Sequence, residues 1–182
     1  DLYIDSGGLV SNGFDIDIGS FFSTTTNTRN IDLGTSLVNV SEGDWQMDGT
    51  NLTSSMNLSD ITLGDQAGVA NFFGGDQTYG DVTSTSATTT NSEGDNTIAL
   101  LDILNNGTLN INNGSTLSLD SLMVVGNCTS PFTIQKTANG ADASITKTGY
   151  QVLTLSNVQI DGVDALGTAT YEIVLSEVLN GT

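Results

Sequence analysis

Apolar residues in this chain recur at every second position, in pieces of two to five residues, and nowhere at helical spacing. Leu2 and Ile4 flank Tyr3, and Phe14, Ile16 and Ile18 alternate with Asp15 and Asp17. Ile31/Leu33, Val38/Val40, Trp45/Met47, Leu109/Ile111, Leu117/Leu119, Phe132/Ile134 and Val158/Ile160 repeat the pattern. A period of two sends neighbouring side chains to opposite faces, so each piece reads as a short strand with one buried and one wet side. The apolar stretch Ala99 to Leu104 is short and is stopped by Asn105-Asn106-Gly107.

The pieces are separated by bends rather than loops. Asn12-Gly13, Asn106-Gly107, Asn113-Gly114 and Asn139-Gly140 supply the positive φ that tight bends need. Hairpins would call for longer strands of matched length. Strand, bend, strand, bend suits a chain coiling about an axis, each strand stacked on the previous coil. Leu2-x-Ile4-x-x-Gly7-x-Leu9 returns loosely as Leu109-x-Ile111-x-x-Gly114-x-x-Leu117. At roughly 20 residues per coil, the low end of the solenoid range, the chain makes about nine coils.

The expected fold is therefore all-β: a right-handed single-stranded parallel β-helix forming one domain over residues 1–182, since parallel crossovers are almost always right-handed. Ile16, Ile18, Leu33, Val40, Ile111, Leu119, Ile134 and Ile145 are expected to point inward. Residues 74–96, dense in Thr, Ser, Asp and Gly, are expected to form an irregular insertion.

Charge narrows the function. Three Lys or Arg face 21 Asp or Glu, for a net charge of -18. No basic patch for nucleic acid can be built from Arg29, Lys136 and Lys147, and an anionic membrane is repelled. Without His there is no imidazole base and no Ser-His-Asp triad. The single Cys128 excludes an internal disulfide framework and a multi-Cys zinc site. No apolar run approaches the length of a membrane-spanning helix.

Gly13-Phe14-Asp15-Ile16-Asp17-Ile18-Gly19-Ser20-Phe21, running on through Asn27 to Gly34 and Trp45 to Leu52, resembles segments of large secreted surface proteins of Bacteroidota. So do Leu109-Asn110-Ile111 with Gly114, and Gly126 through Ile134. Those proteins are built of parallel β-helix repeats and include adhesins, gliding-associated proteins and type IX secretion cargo. The resemblance implies an exported, surface-attached segment of a longer protein. It implies no catalytic residues.

Carboxylates are the abundant reactive groups. Asp15, Asp17 and Asp32 occupy outward positions. If their strands stacked about 4.8 Å apart, they could share a Ca²⁺ ion; the competing reading is a solvated acidic face. Paired carboxylates can also hydrolyse glycosides, but so few cations leave little to hold an acidic sugar. Asp120-Ser121-Leu122 resembles a short O-glycosylation motif, which would place a sugar on Ser121. Trp45, Tyr79, Tyr150 and Tyr171 are candidates for stacking on sugars, with Trp45 better explained as core. Thr24-Thr25-Thr26 and Thr88-Thr89-Thr90 raise the idea of an ice-ordering Thr array. Consecutive threonines point to opposite faces, however, and such an array needs the same outward position on successive coils.

The function expected from these features is a non-enzymatic stalk, spacer or adhesive β-helix module of a secreted or cell-surface protein. Its expected partners are neighbouring segments of its own chain, glycans or other surface proteins. The alternative is a carbohydrate-active β-helix enzyme or glycan-binding module. No cofactor is expected apart from the candidate Ca²⁺.

Overall fold

A computed structural model describes the chain except for residues 65–67, 86–87, 105, 125, 128, 138–139, 148–152, 167–170 and 175–182. Cys128 and Tyr150 fall outside the described residues. Every regular element among those described is a strand, and the strands stack in parallel as a β-solenoid of about seven turns.

The first three coils have three sides. They contain β1 (Leu2–Tyr3), β2 (Gly7–Val10) and β3 (Ile16–Ile18), then β4 (Phe21–Ser23), β5 (Arg29–Asp32) and β6 (Leu37–Val40), then β7 (Asp44–Met47), β8 (Leu52–Ser55) and β9 (Asp60–Leu63). Each strand pairs with its counterpart one coil on: Phe21 lies beside Leu2 and Trp45, Ile31 beside Leu9, Val38 beside Ile16 and Ile61.

The next three coils have only two strands. They are β10 (Val69–Phe73) and β11 (Thr78–Ser84), β12 (Thr89–Glu93) and β13 (Thr97–Ile103), then β14 (Thr108–Ile111) and β15 (Thr116–Val124). The second and third sides have fused: Tyr79 bridges Met56 just past β8, while Val82 in the same strand pairs with Ile61 in β9. The fused strand bends at Gly80, where a Cβ would meet the Ser59 carbonyl oxygen at 2.5 Å. The bend breaks the alternation, so Tyr79 and Val82, three apart in sequence, both face inward. After β16 (Phe132–Lys136), β17 (Ala143–Lys147) and β18 (Leu153–Ser156) come β19 (Val158–Asp161), β20 (Val163–Leu166) and β21 (Tyr171–Val174), with β18 and β21 forming their own two-stranded sheet.

Face one is the eight-stranded sheet β1-β4-β7-β10-β12-β14-β16-β19. Face two runs β3-β6-β9-β11-β13-β15-β17-β20, and face three is only β2-β5-β8. Inward rows carry the core. Leu33, Val40, Ile111, Leu119, Ile134 and Ile145 are buried and Ile16 and Ile18 pack against them, as expected. Aromatic rings fill the interior where the three-sided coils meet the two-sided ones: Phe21 stacks on Trp45 with centroids 4.1 Å apart, and Tyr79 meets Trp45 and Phe72 edge-on. The Trp45 Nε1–H donates to Tyr79 Oη (3.3 Å), whose hydroxyl donates to the Gly74 carbonyl (2.6 Å). Burial drives the Tyr79 phenol far above its ordinary range.

Three expectations need correction. Residues 74–96 are not an irregular insertion. They contain β11 and β12, and Tyr79 and Val82 are core residues. Buried hydroxyls hide the strand pattern there: Ser84, Thr90 and Ser92 take inward positions, and Ser84 Oγ lies 2.7 Å from Thr90 Oγ1. The coil count is about seven rather than nine because coil length varies. Side chains bonded across one coil step are separated by 19 residues for Asn91–Asn110 but 27 for Asp44–Asn71 and 25 for Asn110–Gln135. Phe14 does not extend β3. Asn12 and Gly13 both adopt positive φ, the Phe14 N–H donates to the Ser11 carbonyl, and the ring is exposed.

Candidate functional site

All three side-chain cations are spent inside the fold or on a neighbour. Arg29 is 1% exposed in β5. Its guanidinium donates to the carbonyls of Ser23, Asn27, Asp48 and Thr50 and to Ser23 Oγ, tying together the corresponding corners of two adjacent coils. Lys147 is buried and donates to the Asp120 carbonyl at the bend of β15. Lys136 pairs with Asp142 at 2.6 Å. The solvent-facing coat is thus more one-sidedly acidic than composition implies.

The three candidate metal ligands are not brought together. Asp17 in β3 belongs to face two, where its register partner is Asn39, which donates to it at 3.3 Å. Asp15 accepts the Leu37 N–H at 3.3 Å. Asp32 ends β5 on face three and caps its own turn by accepting the Gly34 N–H. The Ca²⁺ expectation assumed that these strands stack directly; each coil instead places them on different sides. Among the described residues no group of three acidic or Cys side chains is placed to hold a metal ion.

Ser121 is exposed on β15 beside Leu100, so its hydroxyl is open to modification. Trp45 and Tyr79 are core rather than sugar platforms. The Tyr171 backbone lies in β21. Other aromatic residues face outward on face one: Tyr3 and Phe22 stack at 5.0 Å, and Phe73 continues the same row beyond Gln46.

Two adjoining clefts mark the step where face three ends. One, about 340 Å³, is lined by Gln46, Asp48, Phe73, Asp76 and Glu93 among others. The second, about 370 Å³, is lined by Ser54, Asn57, Asp76, Gln77 and Thr78 among others. The carboxylates of Asp48 and Asp76 are engaged in turns. Asp48 accepts the Thr50 N–H at 2.7 Å, and hydrogen bonds from Thr50, assisted by Arg29, hold its pKa below the usual carboxylate range. A depressed pKa is the opposite of what a general acid requires. Asp76, at φ 60°, accepts the Asp95 N–H at 2.6 Å.

Face one carries a feature that sequence reading missed. Asn71 donates to Asp44 (2.6 Å), Asn91 to Asn71 (2.7 Å), Asn110 to Asn91 (2.9 Å) and Gln135 to Asn110 (2.9 Å), an amide ladder parallel to the solenoid axis. Two positions earlier on each strand lie Val69, Thr89, Thr108 and Thr133, also in register. The sequence signal was Thr-x-Asn at 89–91 and 108–110 and Thr-x-Gln at 133–135, hidden by the unequal spacing of coils.

No family model, no curated protein and no solved structure matches this chain.

Proposed function

We propose that the chain is a non-enzymatic stalk, spacer or adhesive module of an exported bacterial surface protein, wound as a right-handed β-helix. The observation that carries this reading is that coils pair only with their immediate neighbours while every side-chain cation is tied down within the fold. Stability in such a stack adds up coil by coil along the axis. An acidic coat whose one surface lysine is paired keeps a rod soluble and opposes edge-to-edge pairing. The likeness of its Gly-punctuated strands to Bacteroidota surface proteins supports export through a type IX route and a role in attachment or gliding. Neighbouring segments of a longer chain, glycans and other surface proteins are the partners proposed, and Ser121 is a proposed glycosylation site. Antibody labelling of intact producing cells tests the location: label is expected without permeabilisation, and label seen only after lysis overturns it.

The clefts beside Phe73 favour a glycan-binding or glycan-hydrolysing module as the second reading. A glycan array paired with a reducing-sugar assay separates the two. Release of reducing ends, abolished by Asp76→Asn and Glu93→Gln, would replace the structural reading with the enzymatic one.

A further inference from the structure

The described side chains of face one include one extended polar patch that is almost free of charge. On β12 the outward positions are Thr89, Asn91 and Glu93; on β14 and the residue after it, Thr108, Asn110 and Asn112; on β16 and beyond, Thr133, Gln135 and Thr137. Of these outward positions only Glu93 is ionisable, in a chain where 21 residues are acidic; on the adjoining strands of the face, Asp44 and Asp161 stand at the two ends of the amide row. Face two also has an outward hydroxyl row, Thr78-Thr97-Ser118-Thr146. There the same strands and their neighbour β9 set carboxylates beside it, at Asp60, Asp81, Asp102 and Asp120.

The patch repeats in two directions. Outward positions two apart on a strand are about 6.6 Å apart, and rows on successive strands about 4.8 Å. Its side chains are also held. The amides of Asn71, Asn91 and Asn110 each donate and accept along the axis, and Thr137 Oγ1 donates to Asn112 Oδ1 at 3.0 Å. A group fixed during folding loses little further freedom on binding. Paired amides alone stabilise the stack, but that does not explain why charge is kept off the Thr row as well.

We infer that this face binds an ice lattice, through in-register rows of Thr and Asn/Gln that hold water in a repeating two-dimensional order. An uncharged, periodic, hydroxyl- and amide-bearing surface suits a neutral, periodic, hydrogen-bonding solid. Each Thr offers a hydroxyl to join the water network and a methyl that confines it. A crystalline polysaccharide is the competing lattice, but rings that could stack on sugars are absent from these three strands. The inference concerns the face of the coil and stands apart from where the module is attached in the cell.

Ice-recrystallisation inhibition and thermal hysteresis of the purified 182-residue chain test it. Inhibition is expected for the unaltered chain. Thr108→Lys, at the centre of the patch, is expected to raise the concentration needed by about tenfold or more, with circular dichroism and Tm unchanged. Thr133→Lys is a second route should the first variant misfold. Thr97→Lys on face two is the control and should stay within about twofold. Absence of activity in the unaltered chain overturns the inference, as does equal loss from the face-two control. Adsorption to crystalline cellulose that Thr108→Lys abolishes, without any effect on ice, overturns it in favour of the polysaccharide.

Discussion

The three-sided coils at the start of the chain and the two-sided coils that follow solve the same packing problem with different chemistry. A three-sided coil encloses a wider interior, and Phe21 and Trp45 stacked at its centre fill that space, with Arg29 reaching across the corners. Fusing two sides into one long strand narrows the interior. Coils four and five then place Ser84, Thr90 and Ser92 inward, and Ser92 follows Trp45 and Phe72 in one inward row. Tyr79 stands at the change of cross-section, its ring edge-on to Trp45 and Phe72 and its hydroxyl on Gly74. One fold therefore tolerates rings and hydroxyls in the same inward rows, because strand pairing along the axis is common to both.

Cutting the aromatic stack should have the largest effect. Trp45→Ala removes the ring between Phe21 and Tyr79 and is expected to cost about 3–5 kcal/mol, measured by chemical denaturation. In the two-sided region Ile111→Ala, also fully buried, is expected to cost about 2–5 kcal/mol. A much smaller loss at Ile111 than at Trp45 would show that the later coils relax around a cavity more easily.

The hydroxyl core should respond to pairing rather than to size. Thr90→Val alone removes the partner of the buried Ser84 hydroxyl and is expected to cost about 1–3 kcal/mol. Adding Ser84→Ala should recover most of that loss, since replacing both partners by apolar groups is nearly neutral. A simple sum of two losses would show that the hydroxyls do not act as a pair. Asn91→Ala breaks the amide ladder on both sides and is expected to cost about 1 kcal/mol.

The smallest effects concern titration, and two carboxylates oppose each other. Asp48, in the three-sided part, has its pKa lowered by Thr50, so its contribution is present above the unfolded pKa and lost as pH falls through the folded one. Asp81, in the two-sided part, has its pKa raised by burial and by neighbouring Asp60. Its favourable contribution is present at acid pH and lost as pH rises through the folded pKa. Asp48→Asn should therefore lower stability at neutral pH, and Asp81→Asn should raise it, each read as a small shift in Tm. Equal signs at the two sites would contradict the assignment.

The strands of the first three coils were legible because apolar alternation runs through them, with Asn12-Gly13 marking a bend. At residues 74–96 the same reading failed, since Ser84, Thr90 and Ser92 look like loop residues until they are seen facing the interior. The placement of Asp15, Asp17 and Asp32 was not legible for a different reason. Asp17 and Asp32 are close in sequence and alike in pattern, but the coil turns a corner between them.

The sequence by itself determined the fold class, the absence of helix-forming segments, most inward residues and the acidic surface. Period-two patterning and charge are local properties, each written within a few residues. Only the tertiary structure decided which strands are neighbours. In a solenoid the side chains that touch lie one coil apart, and coil length here is not constant, with 19 residues between Asn91 and Asn110 and 27 between Asp44 and Asn71. No fixed period in the sequence lines up Thr89, Thr108 and Thr133 or finds the amide ladder beside them. Backbone pairing across coils sets that register, and with it the face that the chain presents to its surroundings.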